Sequence, residues 1–266
     1  MGKIIAISNQ KGGVGKTTTA INLAASFAAL EKTTLIIDMD PQGNASQGLG
    51  FEQQDEDIHE LLDLAADPDN LTYDIIKNSI KNTNLEYLKI IPSWTDLAQL
   101  EIDLVNAMSR EYRLKRIADI LQPHFDFIII DAPPSLNLLT INVLTAATSV
   151  LIPVQCEYFA LQGLAELFNT IRSVQKNLNK NLVIEGILLT MFDSRLSLSR
   201  QILEEVQNPT YGFPDILLKT LIPRNVKLAE APSNGKPVIL HDIQSSGSQS
   251  YMKLAEEILN KEIKNG

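Results

Sequence analysis

The stretch Gln10-Lys11-Gly12-Gly13-Val14-Gly15-Lys16-Thr17-Thr18 constrains this chain more than any other. It follows a short apolar run, Ile4–Ile7, and precedes a helical pattern carrying Leu23, Ala24, Phe27 and Leu30. Strand, glycine-rich loop and helix are the context of a phosphate-binding loop. The glycines let the backbone curl so that its N–H groups face a phosphate chain. The helix that follows adds the positive end of its dipole. Lys16 then offers a point charge to the outer phosphates, and Thr17 can place its hydroxyl on Mg²⁺. The expected nucleotide contacts are therefore Gly12, Gly13, Val14, Gly15, Lys16, Thr17 and Thr18.

The common form of this loop has glycine where Gln10 stands, and here an extra lysine, Lys11, guards its mouth. K-G-G-x-G-K-T resembles the deviant loop of ATPases that include partition proteins, septum-site regulators and the nitrogenase iron protein. The rest of the chain offers a suitable scaffold. Apolar runs recur at Ile4–Ile7, Leu35–Ile37, Leu88–Ile91, Phe127–Ile130, Val150–Val154, Val183–Thr190 and Thr220–Ile222, separated by helical patterns. Strands apolar on both faces belong to a parallel sheet covered by helices on both sides. The expected fold is α/β, a doubly wound, mostly parallel sheet in three layers, forming a single domain over residues 1–266.

Between the runs, Glu52–Asp57 and Ala66–Thr72 read as surface loops around a short helix. Asp96–Leu121 is a long helical pattern with a candidate break near Ser109. Ser245–Ser250 reads as a Ser/Gly loop before an amphipathic helix, Tyr251–Ile263, whose Leu254 and Ile258 share one side with Leu259 as a candidate third. No signal peptide and no bilayer-spanning run are found. The single Cys156 permits neither an internal disulfide nor a cysteine-rich metal site, so a reducing cytoplasmic location is expected. A net charge of −9 excludes a surface coated in basic residues, though not a local basic patch.

Two carboxylates end the second run, in Asp38-Met39-Asp40-Pro41-Gln42-Gly43-Asn44, and two-residue spacing at a strand end points them to the same side. A polar turn with Asp40 capping a helix is the plainer alternative. Asp131, ahead of Ala132-Pro133-Pro134, ends another strand in the same way. Beside a phosphate loop it is the aspartate expected to hold Mg²⁺ through its water shell.

Taken together, Lys11–Thr18, Asp38–Asn44, Asp131–Pro134, Pro153–Gly163 and Pro223–Pro237 resemble the ParA/Soj family of DNA-partition ATPases over nearly the whole chain. Particularly diagnostic are Gln155-Cys156-Glu157-Tyr158-Phe159-Ala160-Leu161-Gln162-Gly163 and Pro223-Arg224-Asn225-Val226. The resemblance implies slow, Mg-dependent ATP hydrolysis, with two subunits sandwiching two ATP molecules. Lys11 would reach the partner's phosphates, Lys16 its own, and Asp40 would orient the attacking water. Thr17 and Asp131 would hold the metal, with Asp38 close to its water shell. Met191, Pro223 and Asn225 would flank the adenine, although Met191 and Phe192 fit a strand-end core equally well. Arg195 and Arg224 occupy places similar to DNA-contacting arginines, with Arg200 or Lys227 as candidate extensions of the patch. The implied partners are a second copy of the chain, non-specific double-stranded DNA and a ParB-like centromere-binding protein, which places the protein on the nucleoid.

Two rival functions are weaker. A septum-site regulator cycling on the membrane needs a basic amphipathic C-terminal helix. Here Glu256, Glu257 and Glu262 interleave with Lys253, Lys261 and Lys264. An iron–sulfur carrier needs cysteine ligands, and one Cys156 per subunit gives two thiolates in a dimer where a cluster takes about four.

Overall fold

The computed structural model describes residues 2–53, 57–157, 160–210 and 212–265. Residues 54–56 of the acidic loop, and Tyr158 and Phe159 of the diagnostic segment, lie outside that set. So do the side chains of 68, 160–162 and 263–265.

Among the described residues seven strands form one sheet in the order β3-β4-β2-β5-β1-β6-β7. They are β1 (Lys3–Ile7), β2 (Thr34–Asp38), β3 (Lys81–Asn82), β4 (Leu88–Ile91), β5 (Phe127–Asp131), β6 (Ser149–Gln155) and β7 (Val183–Thr190). All pairings are parallel except β3 against β4. The helices are α1 (Lys16–Ala29), α2 (Asn44–Gly48), α3 (Ile58–Leu64), α4 (Tyr73–Ile76), α5 (Leu97–Asp103) and α6 (Arg113–Leu121). They continue with α7 (Leu138–Ala146), α8 (Ala160–Asn177), α9 (Ser197–Gln207), α10 (Val226–Glu230), α11 (Val238–His241) and α12 (Ser246–Asn265).

Alternate strand residues feed two separate cores, as the two-residue period of a strand requires. Ile4, Ala6, Leu35, Ile37, Ile128 and Ile130 pack beneath α3 and α5 to α9. Ile5, Ile7, Ile36, Ile90, Phe127 and Ile129 face α1 and α12 on the other side. Phe27 of α1 stacks on Phe127 of β5 with ring centroids 3.9 Å apart. The expected three layers are present. The apolar face of α12 (Tyr251, Leu254, Ala255 and Ile258) is fully buried in this second core, and Leu259 packs partly against it.

Two expectations about the elements need correction, one strand was not anticipated, and one expected break is present. Thr220–Ile222 is not a strand, because its neighbouring donors are taken elsewhere. The Lys219 and Thr220 amides donate to the Glu257 carboxylate of α12, at 2.8 and 2.9 Å, and only Ile222 bonds back to β7 through Leu189. Ser246–Ser250 is helix rather than loop, since the Ser245 hydroxyl accepts from the Ser248 amide and starts α12 early. The polar pair forming β3 has no apolar pattern to betray it. Finally, the 96–121 pattern does break at Ser109, whose backbone is left-handed at φ 52, and α6 begins only at Arg113.

Candidate active site

β1 lies inside the sheet between β5 and β6, and the later strands β6 and β7 continue to one side of it while β2, β4 and β5 lie to the other, so the strand order reverses there. Ligands in open α/β sheets bind outside the carboxyl ends of strands at such a point. The glycine loop leaves β1 there. Asn9 steadies its entry, donating through Nδ2 to the Pro153 carbonyl at 2.7 Å and accepting from the Lys11 amide at 3.0 Å. At its exit Thr190 Oγ1 donates to the Val14 carbonyl at 2.8 Å. Gly15 has φ 87, a left-handed conformation that penalises any side chain. Lys16 opens α1 with its ammonium turned back onto the Lys11 carbonyl at 3.1 Å. Burial lowers its pKa, while Asp131 and Asp40 favour its charge.

The two expected carboxylate strands are direct neighbours. Asp38 and Asp131 pair in register across β2 and β5, and Ile7 of β1 is the next residue along the same row. Asp38 is fully satisfied: Oδ1 accepts from the Asp40 amide, and Oδ2 accepts from the Ser46 amide at 2.9 Å and the Ser46 hydroxyl at 2.7 Å. Burial nevertheless pushes its pKa up to about 7. Asp131 differs. Both of its carboxylate oxygens are buried without a hydrogen bond among the described residues. Burial and then the nearby Asp38 raise its pKa well above the usual range, while Thr17 and Lys16 act in the opposite direction. A buried carboxylate without donors is costly. A hydrated cation beside Thr17 would supply the missing charge and donors, so these residues fit Mg²⁺.

A cleft of about 250 Å³ opens at the glycine loop, lined by Gly13, Lys16, Thr17, Asp40, Asn44 and Pro134 among others. Asp40 is buried and its Oδ1 accepts from the Gln42 amide. A second cavity of about 290 Å³ adjoins it, sharing Gly15, Thr18 and Met191, and reaches Pro223, Asn225 and Tyr251. The three residues expected at the base therefore line one pocket next to the phosphate cleft. Met191 stands where the two meet, with φ 51, an unusual backbone for a side chain of its size. Asn225 caps α10 by accepting from the Lys227 amide and donates to the Ser246 hydroxyl at 2.8 Å.

Gly43, on the loop between the two aspartates' strand and α2, has φ 62, and an added Cβ would lie 2.5 Å from the Ser93 carbonyl. Gly43→Ala is expected to lose about 2 kcal/mol or more, from left-handed strain plus that clash. Urea unfolding of the nucleotide-free protein measures it.

Other residues were not legible beforehand. Lys11 is tied within its own chain to the carboxylate of Glu157. Thr190, Ser46 and Tyr251 carried no motif of their own. Arg195 is mostly exposed but forks onto Asp193 with bonds of 2.9 and 2.7 Å, and that pairing drops the Asp193 pKa to about 2. Arg224 is exposed on the adjacent loop, which bridges to Phe192 through Pro223. Arg200 donates to the Ser194 carbonyl and Lys227 pairs with Glu230, so both proposed extensions have local partners.

Strand ends meeting a glycine loop at the sheet's switch point place this protein among the P-loop ATPases, and Lys11 assigns it to their deviant-loop class. Comparison with known proteins agrees. A family model described as an AAA domain matches residues 2–184. The sporulation initiation inhibitor protein Soj of Bacillus subtilis (strain 168) is 53% identical over 264 residues, covering 97% of this chain and 98% of that protein. The chromosome partitioning protein ParA of Myxococcus xanthus is 50% identical, covering 98% and 89%. Among solved structures, cobyrinic acid a,c-diamide synthase from Mycobacterium smegmatis with bound ATP analog and magnesium superposes with a TM-score of 0.81 at 33% identity, covering 97% and 95%. The chain belongs to the ParA/Soj family of chromosome-partitioning ATPases.

Proposed function

We propose that the protein is a single-domain, Mg-ATP-dependent switch for DNA partition, dimerising on ATP, binding DNA without sequence preference, and resetting by slow hydrolysis. The observation that carries the reading is the buried Asp131 carboxylate, which makes no full hydrogen bond among the described residues and has only the nearby Thr17 hydroxyl and Lys16 to favour its charge, at the mouth of the glycine loop. Thr17 and Asp131 would hold the metal, with Asp38 close by. When bound, Mg²⁺ neutralises charge on the phosphates. The chain does the positioning. Loop amides and Lys16 grip the phosphates, Met191, Pro223 and Asn225 flank the adenine, and Asp40 directs the attacking water.

In the dimer Lys11 crosses to the partner's phosphates. Its present tie to Glu157 joins two roughly half-exposed groups. Such a surface pair is worth about 0.2–1 kcal/mol, so a triphosphate readily displaces it. Sedimentation with Mg-ATP and with ADP tests the reading: a dimer is expected in the first and a monomer in the second. A monomer in both overturns it.

DNA binding is assigned to Arg195 and Arg224, which two-fold assembly would duplicate into a strip on an otherwise acidic surface. Arginine suits phosphate because its planar fork donates two bonds. Under Mg-ATP the Arg195→Glu/Arg224→Glu protein should bind DNA at least tenfold more weakly. Its log–log salt slope should shrink by about 0.9 for each DNA phosphate that is no longer neutralised. Parental binding in a gel shift places the patch elsewhere. A ParB-like partner would stimulate hydrolysis and release the complex, which in this reading is cytoplasmic and nucleoid-associated. The membrane-cycling alternative is disfavoured because α12 spends its apolar face on the core against α1. No helix among the described residues is long and apolar enough to cross a membrane.

A further inference from the structure

The segment after β4 touches the loop of the two aspartates more closely than packing alone requires. Ser93 is fully buried two residues beyond the end of β4. Its hydroxyl donates to the backbone carbonyl of Asp40 at 3.0 Å. Its amide donates to the Ser46 hydroxyl at 3.0 Å, and that hydroxyl donates onward to Asp38 Oδ2 at 2.7 Å. The same serine's carbonyl lies against Gly43, where even a methyl group would not fit. One residue from a separate strand thus holds the loop at Asp40, at Gly43 and, through Ser46, at Asp38.

We propose that Ser93 is a positioning residue for hydrolysis: its hydroxyl anchors the backbone of Asp40, and its amide anchors Asp38 through Ser46. The physical basis is that water attack demands placement of the orienting carboxylate to within a fraction of an ångström. Asp40's own carboxylate has only the Gln42 amide as a fixed hydrogen-bond partner among the described residues. Its position is therefore set by its backbone, whose amide donates to Asp38 and whose carbonyl accepts from the Gly43 amide within the loop and from the Ser93 hydroxyl, the anchor that comes from outside the loop, beyond the neighbouring strand β4. The hydroxyl is not needed for phosphate contact, since Ser93 does not line the phosphate cleft. This inference rests on the hydrolytic reading of Asp40.

The test is a double-mutant cycle on the full-length protein with Mg-ATP and DNA present. Ser93→Ala is expected to lower kcat about tenfold while KM for ATP stays within twofold of the parent. In the Asp40→Ala background the same change should have no further effect on residual turnover, because its route of action is already gone. Should Ser93→Ala fail to fold, Ser93→Cys replaces the hydroxyl by a weak donor of nearly the same shape and is read the same way. A merely structural serine would lower the melting temperature yet leave kcat per folded molecule unchanged, and that result overturns the proposal. So does a loss that adds in full to that of Asp40→Ala, or a rise in KM at constant kcat. If Asp40→Ala itself turns over at the parental rate, the reading of Asp40 fails first and the role of Ser93 falls with it.

Discussion

Lys16→Ala is expected to fold normally and to lose ATP turnover to background. Folding should survive because alanine is the best helix former and Lys16 is the first residue of α1. The ammonium it removes is already disfavoured by burial. Function should not survive. A hydrogen bond from a charged donor contributes about 1.5–3 kcal/mol, which lowers nucleotide affinity some tenfold to a hundredfold. The same charge faces the negative charge spread over the transferring group, where a lost preorganised donor costs about 10²–10³ in rate. Fluorescent-nucleotide titration and phosphate release together separate the two. Parental turnover in this variant would remove the glycine loop from the chemistry altogether.

Asp40→Ala is expected to separate binding from hydrolysis. The residue is buried at the cleft, but the loop's hydrogen bonds to Ser93 and Ser46 do not use its carboxylate. Removing that carboxylate should leave the nucleotide pocket standing. Placement of the attacking water is lost, and losses for positioned proton acceptors run to about 10²–10⁴. With Mg-ATP the variant should elute from gel filtration as a persistent dimer, and the dimer should hold DNA through many cycles of washing. With ADP it should be a monomer that releases DNA. A variant that stays monomeric in ATP would show that the triphosphate does not join two subunits, and the DNA strip across a dimer would go with it.

Much of the site was legible because its signals are local. Glycine positions in Gly12–Gly15 report backbone conformation directly, and Gly13 and Gly15 do adopt positive φ. Asp38 and Asp131 stand at the ends of apolar runs, and a strand end in a parallel sheet is a ligand-facing position whatever lies around it. That the two are adjacent was not in either segment. It follows from β2 pairing with β5, a contact between residues nearly a hundred positions apart. The arginines were found by likeness, and likeness carried no sign that Arg195 is already folded onto Asp193.

What the sequence determined alone was the kind of chain this is: a phosphate loop, apolar strands hidden on both faces, and acids at their ends. These follow from side-chain periodicity and backbone preference within a few residues. Tertiary structure alone decided what those parts bear against. It tied Lys11 to Glu157, drew the Thr220 amide to Glu257 in place of a further strand, and set Ser93 against Asp40. Each of those choices is made by a polar group bonding to whichever partner the completed sheet brings near. Hydrophobic spacing along the chain carries no record of it.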